Sequence, residues 1–173
     1  TLFDNYGVNP VAQTLTLTTA ADTLNGAAGA DTFVATNTTL SAADNLTGGA
    51  GVDTLNYASN GAVAVNQAGF KAAGIETFNI TSDATGGTTF DMSGVTGATR
   101  VVNDDSSNDL VLAGLNEAAT IVVRNTSQST TSVNTTVNYN ASVVAGTSTT
   151  QALVLENVFD PSKTAGTASK SAV

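Results

Sequence analysis

The chain runs to 173 residues, 41% hydrophobic, 5% aromatic and 11% charged, which suits one domain with a thin core of small aliphatic side chains. Its formal net charge is −9 with only five lysines plus arginines, so no basic surface is left to neutralise phosphates, and a cation is a better expected partner than nucleic acid. Cysteine and histidine are both absent, which removes disulfides, thiolate or imidazole zinc sites and histidine-based catalysis.

Low charge with abundant Thr, Val, Ala, Asn, Ser and Gly predicts many short strands and turns rather than helices. No apolar run reaches membrane-spanning length, so no membrane insertion is expected, and Thr1 to Pro10 lacks the basic and apolar regions of a signal peptide. A cleaved precursor, a fragment and export through a carboxyl-terminal signal all suit that start. Residues 1–14 read as an extended lead-in segment, and Leu15-Thr-Leu17-Thr alternates apolar and polar as a first strand. Thr14, Thr16 and Thr18 alternate outward on it, an ice-binding pattern if repeated coil after coil; it is not repeated at 36–40 or 60–64, so it reads as plain strand.

Residues 15–60 carry the most informative feature, one phrase written twice. Asp22-Thr-Leu-Asn-Gly-Ala-Ala-Gly-Ala-Asp31-Thr-Phe33 and Asp44-Asn-Leu-Thr-Gly-Gly-Ala-Gly-Val-Asp53-Thr-Leu55 start 22 residues apart. In each copy a Gly-x-x-Gly-x-Asp turn follows an earlier aspartate. Glycine permits the positive-φ backbone that turns a strand sharply and points carbonyl oxygens inward, and Asp adds a short anionic oxygen, the hard donors that Ca²⁺ takes. Asn-Gly and Gly-Gly also make tight turns, and Asp caps turns, with no metal at all. Equal spacing predicts that turns 26–31 and 48–53 stack on one side of a coil with an ion between them. Asp22 and Asp44 then stack at the opposite corner, and Phe33 and Leu55 point into the interior.

Residues 61–160 read as a continuation. Short strands recur at Ala62–Val65, Ile75–Ile80, Thr88–Met92, Thr99–Val102, Leu110–Leu112, Thr120–Val123, Thr135–Tyr139 and Ala152–Glu156, the last two separated by a Ser/Thr-rich loop around Gly146. Residues 161–173, opened by Pro161, read as a mobile tail or linker. The recurrence predicts an all-β fold, a parallel β-solenoid of two sheets with about 22 residues per coil. An antiparallel β-sandwich is the alternative, disfavoured because few aromatics are present to fill its core.

Between two of these strands, Asn103-Asp-Asp-Ser-Ser-Asn-Asp109 packs carboxylates and amides into one loop. Asp104, Asp105, Asn108 and Asp109 are candidate oxygen ligands for a second Ca²⁺, because like charges this close repel unless neutralised; the alternative is a solvated turn bonding its own backbone. The same carboxylates, with Tyr57 or Tyr139 lining a subsite, could form a glycosidase centre, but a chain without Trp lacks the usual sugar platforms, so catalytic residues are not expected. Asn-x-Ser/Thr sequons at Asn37, Asn45, Asn79, Asn125, Asn134 and Asn140 are as frequent as chance gives in so Asn- and Thr-rich a chain.

Gly48-Gly-Ala-Gly-Val-Asp-Thr-Leu-Asn56 resembles the RTX calcium-binding nonapeptide throughout, and Gly26-Ala-Ala-Gly-Ala-Asp-Thr-Phe-Val34 resembles it except at the second glycine. With Gly74-Ile-Glu-Thr-Phe-Asn-Ile-Thr81, the run from Leu15 to Thr81 is similar to the solenoid part of type I-secreted bacterial S-layer proteins. The resemblance implies a secreted, calcium-dependent structural protein of the cell surface, with ligands carried onto Gly26, Gly29, Asp31, Gly48, Gly49, Gly51 and Asp53. Its implied partners are further copies of itself, in a lattice or filament, with cell-surface polysaccharide as a further candidate. The rival expectation is a calcium-stiffened adhesin or ligand-binding module of a larger RTX protein. Two departures matter: each good repeat follows a degenerate one, 17–25 and 39–47, so few ions are expected, and no convincing secretion signal closes the chain.

Overall fold

The structure is a computed structural model that describes residues 11–67, 69–125, 133–145, 150–156 and 158. The chain winds into a parallel β-solenoid of about 5 turns, roughly 23 residues per turn. Every strand pair is parallel, which disposes of the antiparallel sandwich. One face is a seven-stranded sheet of β1 (Thr14–Thr16), β3 (Thr32–Thr36), β5 (Thr54–Ser59), β8 (Thr77–Ser82), β11 (Arg100–Asp104), β13 (Thr120–Arg124) and β15 (Leu153–Glu156). A second holds β2 (Thr23–Asn25), β4 (Asn45–Thr47), β7 (Lys71–Ala73) and β10 (Val95–Thr96).

The expectation of two sheets holds only for the first two coils. From β5 onward a third sheet inserts, made of β6 (Val65–Gln67), β9 (Thr88–Asp91), β12 (Leu110–Leu115) and β14 (Thr135–Tyr139). The strand expected at Ala62–Val65 lies instead at Val65–Gln67. Gly61, at φ 113°, still belongs to the turn, and Val63 is 74% exposed, so the inward position falls to Gln67. A single short helix among the described residues, α1 (Ala141–Val144), interrupts the expected run of strands after β14. The loop around Gly146 and the tail 161–173 fall outside the described residues.

Period-2 alternation along the first sheet builds the core. Leu15, Phe33, Leu55, Phe78, Val101, Ile121 and Leu153 fall in one register row, and the five from Phe33 to Ile121 are buried. Phe90 from the third sheet meets Tyr57, Phe70 and Phe78 edge-on, at ring-centroid distances of 4.9, 5.5 and 6.5 Å. Full burial of each such side chain stabilises by about 1.5–3 kcal/mol before cavity effects.

Polar residues also stack. Asn79 donates to Asn56 at 2.9 Å on the outer face of the first sheet. Inside, Ser82 donates to the Asp109 carbonyl at 2.8 Å and shares a hydroxyl–hydroxyl hydrogen bond with Thr88 at 2.9 Å, and the buried Asn103 amide donates to Thr135 at 2.7 Å. These buried hydroxyls and amides are satisfied by one another, which fixes register where the core is polar. The Thr14 row does repeat, as Thr32, Thr54 and Thr77 in successive coils, at positions other than those scanned in the sequence. The neighbouring row runs Thr16, Val34, Asn56, Asn79, so no two-row threonine array forms.

Candidate cation site at the stacked glycine turns

Coils pass from the second sheet to the first through a Gly-x-acid corner. Gly29-Ala-Asp31, Gly51-Val-Asp53 and Gly74-Ile-Glu76 hold equivalent places, with glycine φ of 122°, 137° and 62°. Turns 26–31 and 48–53 stack directly, through an Ala28–Ala50 bridge and a Gly29 N–H donated to Ala50 O at 2.7 Å. Contact is so close that side chains are excluded. A Cβ on Gly26 would lie 1.9 Å from Gly48 O, one on Gly48 would lie 1.7 Å from Gly74 O, one on Gly49 2.2 Å from Ala27 O, and one on Gly51 1.9 Å from Gly29 O.

This stacking turns the carboxylates onto backbone donors. Asp31 accepts from Ala27 N at 2.8 Å in its own turn and from Gln13 N at 2.7 Å in the coil before. Asp53 accepts from Asp31 N at 2.7 Å, and Glu76 from Asp53 N at 2.8 Å. The acids therefore form a ladder in which each receives the N–H of a residue one coil upstream. At the other end of the second-sheet strands, Asp44 accepts from Asp22 N at 2.8 Å and Ser41 N at 2.7 Å, and Asp22 accepts from Thr18 N at 2.7 Å. The structure thus brings Asp31 to Asp53 and Asp22 to Asp44. Glu76 was missed from sequence because it reads as part of a strand; its signal is the Gly-x-acid spacing of Gly74-Ile-Glu76.

One oxygen breaks the pattern. Asp53 is fully buried, and its Oδ2 has no hydrogen-bond partner, whereas the equivalent oxygen of Asp31 receives Ala27 N–H. Burial pushes the Asp53 carboxyl above its ordinary value against the pull of the Asp31 N–H, and the charges of Glu76 and Asp31 push it further. A carboxyl raised in the fold contributes stability while protonated and loses it as pH rises through the raised value, so at neutral pH its ionisation costs stability unless a cation compensates.

Calcium fits this corner in chemistry. The donor is Asp53 Oδ2, a hard anionic oxygen that is buried, lacks a hydrogen-bond partner and carries an uncompensated charge. Among the described residues no three acidic side chains are placed to hold one metal ion together, so the rest of a shell would come from turn carbonyls and water. Asp31 and Asp44, with backbone N–H on both oxygens, act first as bonds between coils.

The residues of the loop at 103–109 take separate partners. Asp104 takes both Arg124 Nε and Nη2 at 2.7 Å, Asp109 accepts from Asn134 N at 2.8 Å, and Asn108 donates to Asp83 O at 3.3 Å. Asp105 sits at φ 52°, a turn conformation that Asp tolerates. Tyr57, one of the tyrosines considered for a sugar subsite, is buried in the core. The Arg124 hydrogen bonds hold the Asp104 carboxyl below its usual range against the opposing effect of burial. Its ionised form therefore contributes stability above the ordinary carboxylate range, lost as pH falls through the depressed value. We expect Arg124→Gln to cost about 1 kcal/mol at neutral pH, with the gap to the parent closing in acid, as read from denaturation midpoints against pH. A gap constant with pH would refute this assignment.

Comparison of the chain with protein-family models, with curated proteins and with solved structures gives no match. Fold and site define the class: a parallel β-solenoid whose coils are joined at two corners by aspartates. No helix among the described residues is long and apolar enough to cross a membrane.

Proposed function

We propose that the chain is a structural module of a secreted, self-assembling bacterial surface layer, and that calcium at the glycine turns completes its fold. The observation that carries this reading is the buried Asp53 oxygen without a partner, set between stacked glycine turns in a column with Asp31 and Glu76. Asp53 is the residue that would hold the ion, with oxygens of the 48–53 turn. When bound, calcium supplies the positive charge that this column lacks. The chain's own part is to exclude side chains at Gly26, Gly48 and Gly51, so that the turns stack, and to fix Asp53 through the Asp31 N–H.

Extracellular calcium modules bind with Kd of about 10⁻⁴ to 10⁻³ M, which separates a calcium-poor cytosol from the outside. Unpaired strand edges at solenoid ends favour joining to neighbours. The test is a calcium titration of chelator-treated protein, following far-UV circular dichroism and particle size together. We expect both to rise at millimolar Ca²⁺, and Asp53→Asn to fold without calcium and show no calcium-dependent gain. A parent protein indifferent to chelator would reduce the turns to plain corners and leave an adhesin or scaffold reading.

A further inference from the structure

The two ends of the first sheet match each other. Among the described residues, β15 pairs only with β13 and β1 only with β3, so each presents an unpaired parallel edge. At the β15 end the core stands open: Leu153 is 59% and Leu155 51% exposed, and with Ile121 and Val137 they line an open cleft of about 580 Å³. Leu153 belongs to the inward row that begins at Leu15, and Leu155 follows Val123 in the next inward row. The edge sequences alternate alike, Leu153-Val-Leu-Glu156 against Leu15-Thr-Leu-Thr18.

We infer that the occupant of this cleft is a second copy of the chain, whose β1 adds in parallel to β15 with Leu15 beside Leu153 and Leu17 beside Leu155. This rests on the self-associating module proposed above and names its contact. The argument is continuity in the first sheet, the one sheet that runs from the first coil to the last: there the contact between copies repeats the one that joins each coil to the next, with the same strand direction and inward rows. An antiparallel or sideways contact would break both. Head-to-tail contact is heterologous, so it propagates as a file of molecules rather than closing as a dimer.

The absence of cysteine in the chain allows a clean test. Thr16 and Val154 end one register row of the first sheet, on the face opposite the Leu15 row: Thr16, Val34, Asn56, Asn79, Val102, Val122 and Val154, so in one molecule they lie six strand spacings, about 29 Å, apart. That is far beyond disulfide reach, whereas stacked copies bring them to adjacent strands. Thr16→Cys/Val154→Cys protein, oxidised under assembling conditions, is expected to give a ladder of linked multimers. The single variants stop at dimers, and adding Leu155→Asp to the double variant removes the ladder while its circular dichroism stays native. A native double variant that yields only monomers overturns the inference. Ordered sheets on calcium without a ladder would sink the stacking alone; a ladder with no calcium response would sink the calcium-driven layer and leave the stacking standing.

Discussion

Gly48→Ala is expected to cost about 3 kcal/mol or more, a large share of a single domain's stability, and to unfold the first two coils before the rest. The cause is steric. The added methyl would sit 1.7 Å from Gly74 O and 2.5 Å from Asp53 Oδ2. The first contact is backbone held in the next coil, so relief requires the coils to move apart, with loss of the Asp53 N–H bond to Glu76. Gly61→Ala is the control: Gly61 has φ 113° but nothing within 4 Å of its would-be Cβ, so only backbone strain of about 1–2 kcal/mol is expected. Denaturation midpoints order the two variants, and hydrogen exchange locates the loss. Equal costs would mean that the corner is loose enough to admit a side chain and that its glycines serve only the turn.

Phe90→Ala is the second large effect, with an expected loss of about 3 kcal/mol, the lower part of the range for deleting a buried phenyl. Phe90 is wholly buried and contacts three rings, from the first sheet and from the segment before β7. The lower figure follows from its neighbours. The Tyr57 hydroxyl and the Gln67 amide are buried without partners, and Gln67 pairs with Phe90 in register, so water entering the cavity would satisfy groups now unpaired. The same Tyr57 hydroxyl has its pKa raised by burial, and hydration would bring it back toward the ordinary value, readable as an earlier tyrosine absorbance change in alkali. A loss near 5 kcal/mol with no change in that titration would mean that the cavity stays dry.

The solenoid was legible because Asp22–Phe33 and Asp44–Leu55 repeat at the coil length, and repetition at a fixed interval leaves few other folds. The inward row from Phe33 to Ile121 was legible for the same reason, since period-2 alternation carries it. The third sheet was not, because Ala62-Val-Ala-Val65 alternates like a strand while Gly61 still turns the chain, and local pattern does not weigh the two. The Asp31–Asp53 pair could be read from spacing; the orphaned Asp53 oxygen could not, because it arises from a difference between two turns that look alike in sequence. The partners within the loop at 103–109 were not legible either. Its carboxylates are close in sequence, but Asp104 takes Arg124 and Asp109 takes Asn134 from later coils, and such partners are invisible without the fold.

The carboxylate ladder has a direction. Gln13, Asp31 and Asp53 each give their N–H to an acid in the following coil, so no corner is satisfied until the next turn has closed over it. Winding is therefore conditional on what comes later in the chain: an early coil emerging alone carries an unmet donor and stays open, and each newly wound turn locks the one before it. A module built this way gains its rigidity only as its later coils close on the earlier ones.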